Sequence, residues 1–411
     1  MTSQTLAPLE VACQGQPLGH LIGAAPDVWL FRPAEQAGTR LPAWSPLSQA
    51  NGTAVNRRPW FRHLLPDVPT CARLARRLGL TPGHDYALLG IAGRDCRGGL
   101  RLSQAGTAPR AVAEQPSVLD AAALAGLARA LPAGDFETLP AGLDLLLPGD
   151  PGQFFCAYAD GRIVLAEDRP WLARLGRPGL DEAVENEALI RRIAQGLGLP
   201  GAEAQLLWLP TPLLAARRLD RDDAGAPCHL EDFGQLAGRH PEQAFEREGG
   251  LAVCDCAQLI RRYSAAPALD LRMLLGWLVF AFLAGLGGAH ASTLALRDTA
   301  RGPRLAIWDG WLSTHVYPSR SERLAMHLGR EDRPDWIRPA RWRETAEELG
   351  VGSRYLLELV HDLATRLPAL AREATRTLAL DGRALRVLPR VLTLIDQRAR
   401  QTLIALAAET V

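Results

Sequence analysis

Residues 273–296 contain no Asp, Glu, Lys or Arg. A run this apolar must be covered, either by lipid or by the rest of the protein. About twenty apolar residues are enough to cross a bilayer. Here Gly285, Gly287 and Gly288 break the run, and His290, Ser292 and Thr293 follow. The interruptions predict a helix buried in a protein core and stopped at the glycines, with no membrane span. There is enough chain to bury it: 411 residues, 47% hydrophobic and only 22% charged, suffice for two or three packed units.

Charge and cysteine content narrow the class further. Net charge is +1, with acidic and basic residues interspersed, so no direct electrostatic footprint for nucleic acid stands out. The seven cysteines, spread from Cys13 to Cys256, make no even framework of disulfides and favour a reducing, cytoplasmic setting. Cys254-x-Cys256 lacks the two-residue gap and the second pair of a structural zinc site. The N-terminus has no basic stretch followed by an apolar core, so a signal peptide is not expected. The glycines from Gly93 to Gly99 lack the following Lys-Ser or Lys-Thr of a nucleotide-binding loop, and Ser313 lacks the glycine-flanked elbow of a hydrolase.

Periodicity predicts an α+β protein. Residues 1–108 hold short strand-like runs punctuated by Gly, Pro and Asn, with the helical CARLARRLGL among them. Residues 109–135 form a junction whose helix, 117–134, ends at Pro132 and Gly134. Residues 136–219 alternate short strands with a helix around Glu187, and 220–411 are mostly helical. In DEAVENEALIRRIAQGLG, Glu187 lies three residues after Val184 and three before Ile190, beside the apolar stripe of that helix.

The chemistry-bearing segments are FAFLAGLGGAHASTLAL, 280–296, and LAIWDG, 305–310. They resemble the active centre of the HipA family of bacterial serine/threonine kinases, which implies a bilobal kinase-like fold. Phosphoryl transfer needs a carboxylate beside the attacking hydroxyl and oxygen ligands for Mg²⁺. The family's run reads aspartate, any residue, histidine, any residue, lysine, asparagine. Here it reads Gly288, Ala289, His290, Ala291, Ser292, Thr293, so only His290 is kept. By the same resemblance Asp309 stands at the family's Mg²⁺ aspartate, Gly288 at its missing base and Thr293 at its missing asparagine. General-base assistance is typically worth about 10² to 10⁴ in rate.

The resemblance extends upstream. It places Arg174 at the family's strand lysine, Glu187 at the helix glutamate that holds it, and Arg217 at an acidic hinge position. Arginine is not equivalent to lysine there, because its planar fork suits a bidentate carboxylate better than a point contact on phosphate. The candidate phosphate loop, LPGDPGQ, offers Gly149 and Gly152, but its two prolines remove amide donors and Asp150 repels phosphate. Further likeness runs through LPAWSPLSQANG, through Trp60 to Asp67, through Gly93 to Gly99, and through the acidic patch Glu231-Asp232-Phe233-Gly234-Gln235.

Three functional readings follow. The first is a HipA-like pseudokinase that acts by protein binding or regulation, with ATP and Mg²⁺ binding doubtful and a small helix-turn-helix antitoxin (HipB-like) implied as partner. The second is an active serine/threonine kinase, a HipA-type toxin, that phosphorylates a protein with ATP and Mg²⁺ through another acid. The third is a metal-dependent activity built from His290, Asp309 and His315.

Overall fold

The computed structural model describes residues 6–34, 41–48, 55–81, 83–106, 116–136, 152–165, 169–177, 179–209, 211–378 and 383–408. The chain divides into two compact units. The first comprises Met1–Pro178, Leu209–Glu242 and Arg297–Arg301, and the second Gly179–Trp208, Gln243–Leu296 and Gly302–Val411.

The first unit begins with a four-stranded antiparallel sheet in the order Val28–Pro33, Gln16–Ala25, Leu9–Cys13, Leu100–Gln104. Leu9, Val11 and Cys13 alternate inward and are buried, the period-two pattern of a half-covered sheet. Helix Asp85–Ala92 packs by strand Leu100–Gln104, and Val68–Arg77, capped by Asp67 accepting from Thr70 N at 2.8 Å, lies beside that helix. A second sheet runs Ser117–Leu119, Arg162–Leu165, Gln153–Ala159, Trp171–Arg174, Pro212–Arg217. The helix predicted over 117–134 starts later. Residues Ser117–Leu119 pair with Arg162–Leu165, Asp120 caps the helix Ala121–Ala133, and Gly134 ends it at φ +68°.

The second unit is built on helices. Ala183–Gly196 packs against Ser353–Thr377 and Val387–Ala408, and Pro267–Ala284 packs against Val253–Tyr263 and the same two C-terminal helices. Pro267–Ala284 is the uncharged run of the sequence. It is long and apolar enough to cross a membrane by length and composition, yet Trp277, Val279, Phe280, Leu283 and Ala284 are fully covered by protein. Helix Ala183–Gly196 is buried almost all round where an amphipathic stripe was expected, and Glu185, Asn186, Glu187 and Arg191 are covered with the rest. Buried polar groups persist only with hydrogen-bond partners, so this helix carries a polar network inside the unit.

Candidate functional site

The segment 284–293 turns the end of a core helix into the start of a strand. Gly285, at φ +70°, is the left-handed C-cap of Pro267–Ala284, and Leu286 N returns to Ala281 O at 2.9 Å. The loop after Ile307 braces this turn from one side. Ser313 Oγ donates to Ala284 O at 2.6 Å, Thr314 N to Gly285 O at 3.0 Å, and Gly287 N to Thr314 Oγ1 at 3.0 Å. Asn186 ties that loop to helix Ala183–Gly196, giving one bond to Ser313 O at 3.0 Å and receiving one from Ser313 N at 3.1 Å.

Within this frame the glycines differ in kind. A Cβ on Gly287 would come within 2.4 Å of Thr314 Oγ1 and 2.9 Å of His315 Nε2, so packing demands glycine there. A Cβ on Gly288 would meet nothing within 4 Å, and its backbone lies outside the left-handed region. Neither space nor backbone requires glycine at 288. A side chain at 288 would have room to stand.

Residues Ala291–Thr293 form a single 3-10 turn closed by His290 O, which accepts from Thr293 N at 2.9 Å and from Thr293 Oγ1 at 2.7 Å. The hydroxyl hydrogen of Thr293 is thus spent on the backbone. Strands Leu294–Arg297 and Arg304–Ile307 lie side by side, and Trp308 N donates to Thr293 O at 3.0 Å, which carries Asp309 and Gly310 back to the turn. Gly310, at φ +82°, passes so close that a Cβ there would sit 3.2 Å from Thr293 Oγ1 and 3.3 Å from Gly288 O. Gly288, Thr293 and the 309–310 corner are therefore brought together. The His290 ring packs edge-on against Phe245, with centroids 5.4 Å apart.

His315 lies behind the turn. Arg398, from the last helix, donates to Phe282 O at 2.6 Å and to His315 Nδ1 at 2.7 Å. Arginine has only donors, so His315 accepts at Nδ1 and carries its proton on Nε2. Burial, reinforced by the Arg398 charge, pushes the His315 pKa down to about 3. This corrects the metal-centre reading. Among the described residues no three His, Cys, Asp or Glu side chains gather as a metal-holding group, and the lone pair that His315 would offer at Nδ1 is taken by a guanidinium.

Glu187 was expected to hold the strand cation. Its Oε1 accepts from Arg191 Nε at 2.9 Å, one helical turn on, and Arg191 also donates to Gly201 O and lies over the Trp311 ring. The i, i+4 spacing of Glu187 and Arg191 was the signal available for this pair.

The remaining site candidates belong to the first unit. Arg174 is buried in the middle of its sheet, opposite Gln153 on one side and Leu214 on the other. Arg217 lies over the Trp171 ring at 5.6 Å. Gly152 holds φ +103° and a Cβ on it would meet Gly176 O at 2.8 Å, so its glycine is a turn requirement. Gly149 lies outside the described residues.

Two polar hubs in this unit were not anticipated. Asp95 accepts from Arg169 at 2.8 Å, from Arg218 at 2.9 and 3.1 Å and from Arg221 at 3.1 Å, while Asp220 accepts from Arg218 and Arg221. Burial opposes the charge on Asp95, but the guanidinium of Arg218, with those of Arg169 and Arg221, holds its carboxyl well below the usual range. The second hub is the acidic patch, whose Glu231, Asp232 and Gln235 are all buried. Asp232 caps helix Phe233–Leu236 and is bonded to His63 Nδ1 at 3.0 Å and to Arg97. Burial would raise its pKa, but His63 and Arg97 bring it down to about 2.

Known proteins share the sequence pattern and the fold. Residues 9–103 match the HipA N-terminal domain, and residues 156–371 match the HipA-like C-terminal domain. A Sinorhizobium fredii protein named "Putative kinase Y4mE" is 32% identical over 332 residues, 77% of each chain. A second from the same organism, "Putative kinase Y4dM", is 27% identical over 293 residues, 66% of each. Among solved structures, HipA in the Shewanella oneidensis MR-1 toxin-antitoxin complex with HipB and operator DNA has the same fold. Its TM-score is 0.81 at 19% identity, covering 97% of this chain and 98% of that one.

Proposed function

This chain belongs to the HipA family, and from that membership we propose that it is a kinase-fold protein which acts through protein contacts in a toxin-antitoxin-type module, without the family's phosphoryl transfer. The observation that carries the reading is the bare backbone at Gly288, in a turn that Ser313, Thr314 and Arg398 brace from behind. The scaffold of an active centre is kept there while its proton acceptor is missing.

The donor set does not fit Mg²⁺ held with ATP for transfer. Asp309 is the one carboxylate in the Gly288, Thr293 and Asp309 group, and the Thr293 hydroxyl is a neutral group already bonded to His290 O. Mg²⁺ takes hard, near-octahedral oxygen coordination, usually with one or two carboxylates beside the substrate phosphates. Weak nucleotide binding without turnover is the expected behaviour.

The proposed partner is a small helix-turn-helix antitoxin. The similar Shewanella HipA is found with HipB and operator DNA, and the interspersed charge of this chain favours DNA contact through such a partner. Co-purification with the product of an adjacent helix-turn-helix gene tests the partnership.

The catalytic part is tested by calorimetry of Mg²⁺-ATP binding together with a radiolabelled transfer assay, on the native chain and on Gly288→Asp with Thr293→Asn. The open space at Gly288 admits the aspartate, and regained transfer of about 10²-fold or more over the native level is expected, the usual worth of a general base. Turnover by the native chain at the roughly 1–100 s⁻¹ of ordinary kinases overturns the proposal.

A further inference from the structure

Glu182 opens the helix Ala183–Gly196 with a left-handed backbone, φ +54° and ψ +33°, a conformation unfavourable for glutamate. A polar residue in this place ordinarily turns its side chain back and caps its own helix. Glu182 makes no such bond. Its Oε2 instead accepts from Arg386 N at 2.8 Å and from Val387 N at 2.6 Å, the start of the helix Val387–Ala408, 204 and 205 residues away. The partial positive charge of that helix end favours a carboxylate there.

Arg398 lies about 16 Å further along the same helix, at about 1.5 Å per residue. Its guanidinium donates to Phe282 O at 2.6 Å and to His315 Nδ1 at 2.7 Å, and a Cβ on Gly285 would come within 2.5 Å of Leu394 Cδ2, one turn before it. Both acceptors are neutral. A buried guanidinium without a bonded carboxylate is an unfavourable arrangement, and burial pushes the Arg398 pKa down to about 10. The carboxylates that oppose this, Asp335 and Glu322, are both exposed.

The start of Ala183–Gly196 reaches the same place by a shorter route. Asn186, one turn after Glu182, is bonded to both Ser313 N and Ser313 O, and Ser313 Oγ donates to Ala284 O. Phe282 O and Ala284 O, in the last turn of Pro267–Ala284, are thus held from one helix start by two routes. The routes differ in exposure. Asn186 and Ser313 are each 0% exposed, whereas the Glu182–Arg386 bond lies at the surface. The long route therefore combines a strained backbone at its exposed end with a buried charge at its inner end. Strain of this kind persists only where the surrounding structure enforces it.

We propose that Glu182 and the helix Val387–Ala408 form a latch that sets the turn 284–293, closed by the two Glu182 bonds at the surface and opened by their loss. On opening, Glu182 leaves the left-handed region and Arg398 withdraws from His315 towards Asp335 and Glu322. Phe282 O loses its donor, while Asn186 and Ser313 keep hold of Ala284 O. The turn that carries Gly288 is loosened and does not unfold. That this regulates an active centre rests on the reading of the turn given above, but the latch itself does not.

The test follows the His315 ring by NMR titration and the amides of Leu286 and Thr314 by hydrogen exchange in the full-length chain. The native ring should titrate near 3. Glu182→Gly removes the carboxylate and the strain together, and the ring pKa is expected to climb towards the ordinary 6.5. Exchange at the two amides should quicken by about 10-fold or more, the worth of a hydrogen bond to a charged group. Glu182→Gln, which keeps the length and one acceptor oxygen, should move both readouts the same way by less. A residue that only caps a helix would let its first turn from Val387 fray and leave His315 titrating near 3, and that result in Glu182→Gly overturns the proposal. Should Glu182→Gly unfold, an unmoved His315 in Glu182→Gln overturns it. Neither readout involves ATP, so failure of the latch and failure of the account of phosphoryl transfer are told apart.

Discussion

Each unit buries a histidine, and the two have opposite company. His229 in the first unit has Glu231 Oε1 at 2.7 Å from Nε2, and although burial opposes the charge its pKa is raised to about 9. His315 in the second has the Arg398 guanidinium on Nδ1, and burial with that charge brings its pKa down to about 3. The contrast reaches beyond the rings. The first unit collects carboxylates in its core and matches each with donors, whereas the turn at Gly288 is braced by carbonyls, hydroxyls and one guanidinium. The carboxylates of the first unit are held in buried ion pairs and hydrogen bonds, and the 284–293 turn of the second contains no Asp or Glu.

Removing a carboxylate from the first unit should have the largest effect. Glu231→Ala leaves the His229 Nε2 proton and the Trp60 indole N–H buried without an acceptor, and breaking such a pair costs about 3–5 kcal/mol. Denaturant-dependent hydrogen exchange in the strands Leu9–Cys13 and Leu100–Gln104 measures it. Protection equal to native would show that Glu231 is not the hub that distinguishes this unit.

Next in size is the response to pH, which should differ in sign between the units. His229 has a folded pKa above the ordinary 6.5, so its contribution is complete below 6.5 and is lost as pH rises through about 9, a total of about 3 kcal/mol. His315 has a folded pKa below 6.5. As pH falls from 6.5 towards 3 the unfolded ring takes a proton that the folded one refuses, so the second unit weakens on the acid side. Exchange protection in each unit, corrected for intrinsic rates and followed on both sides of neutrality, sharpens the comparison. A common optimum for both units would break it.

Arg398→Met should follow, at about 2 kcal/mol, because Phe282 O and His315 Nδ1 lose their donor while the methionine keeps most of the packing. Its second readout is the ring itself. With the guanidinium gone, the His315 pKa measured by NMR should climb from about 3 towards the ordinary value, and no movement would mean that burial alone holds it down.

What could be read in the sequence and what could not divide along a physical line. The core helix, its stop at the glycines and the aspartate ending LAIWDG were legible because they depend on local composition: an uncharged run, αL-compatible glycines, an apolar strand. The hubs were not. Asp95 meets Arg218 and Arg221 across 123 and 126 residues of chain, and Trp60 meets Glu231 across 171, distances over which no periodicity speaks. For the same reason the five residues EDFGQ do not reveal that a tryptophan, two histidines and an arginine will bond to their carboxylates. Helix Ala183–Gly196 misled in the other direction. Its Glu and Arg residues marked an exposed face by pattern, but Asn186 and Arg191 bury their polar atoms on Ser313 O and Gly201 O.

The smallest expected effect separates two adjacent glycines and bears most directly on the proposed loss of a side chain at 288. Gly287→Ala places a methyl 2.4 Å from Thr314 Oγ1 and 2.9 Å from His315 Nε2, in a turn tied by Thr314 and Ser313. Neither neighbour can withdraw without breaking a hydrogen bond to the turn, so overpacking should cost about 1–3 kcal/mol. Gly288→Ala meets no atom within 4 Å and restricts only the unfolded chain, which should stabilise the protein by about 0.4–1 kcal/mol. Thermal or denaturant melts of the two variants should therefore move in opposite directions. If Gly288→Ala destabilises as much as Gly287→Ala, glycine at 288 is a packing necessity, and the missing side chain would then be a consequence of the fold and no longer a loss of chemistry on a scaffold able to carry it.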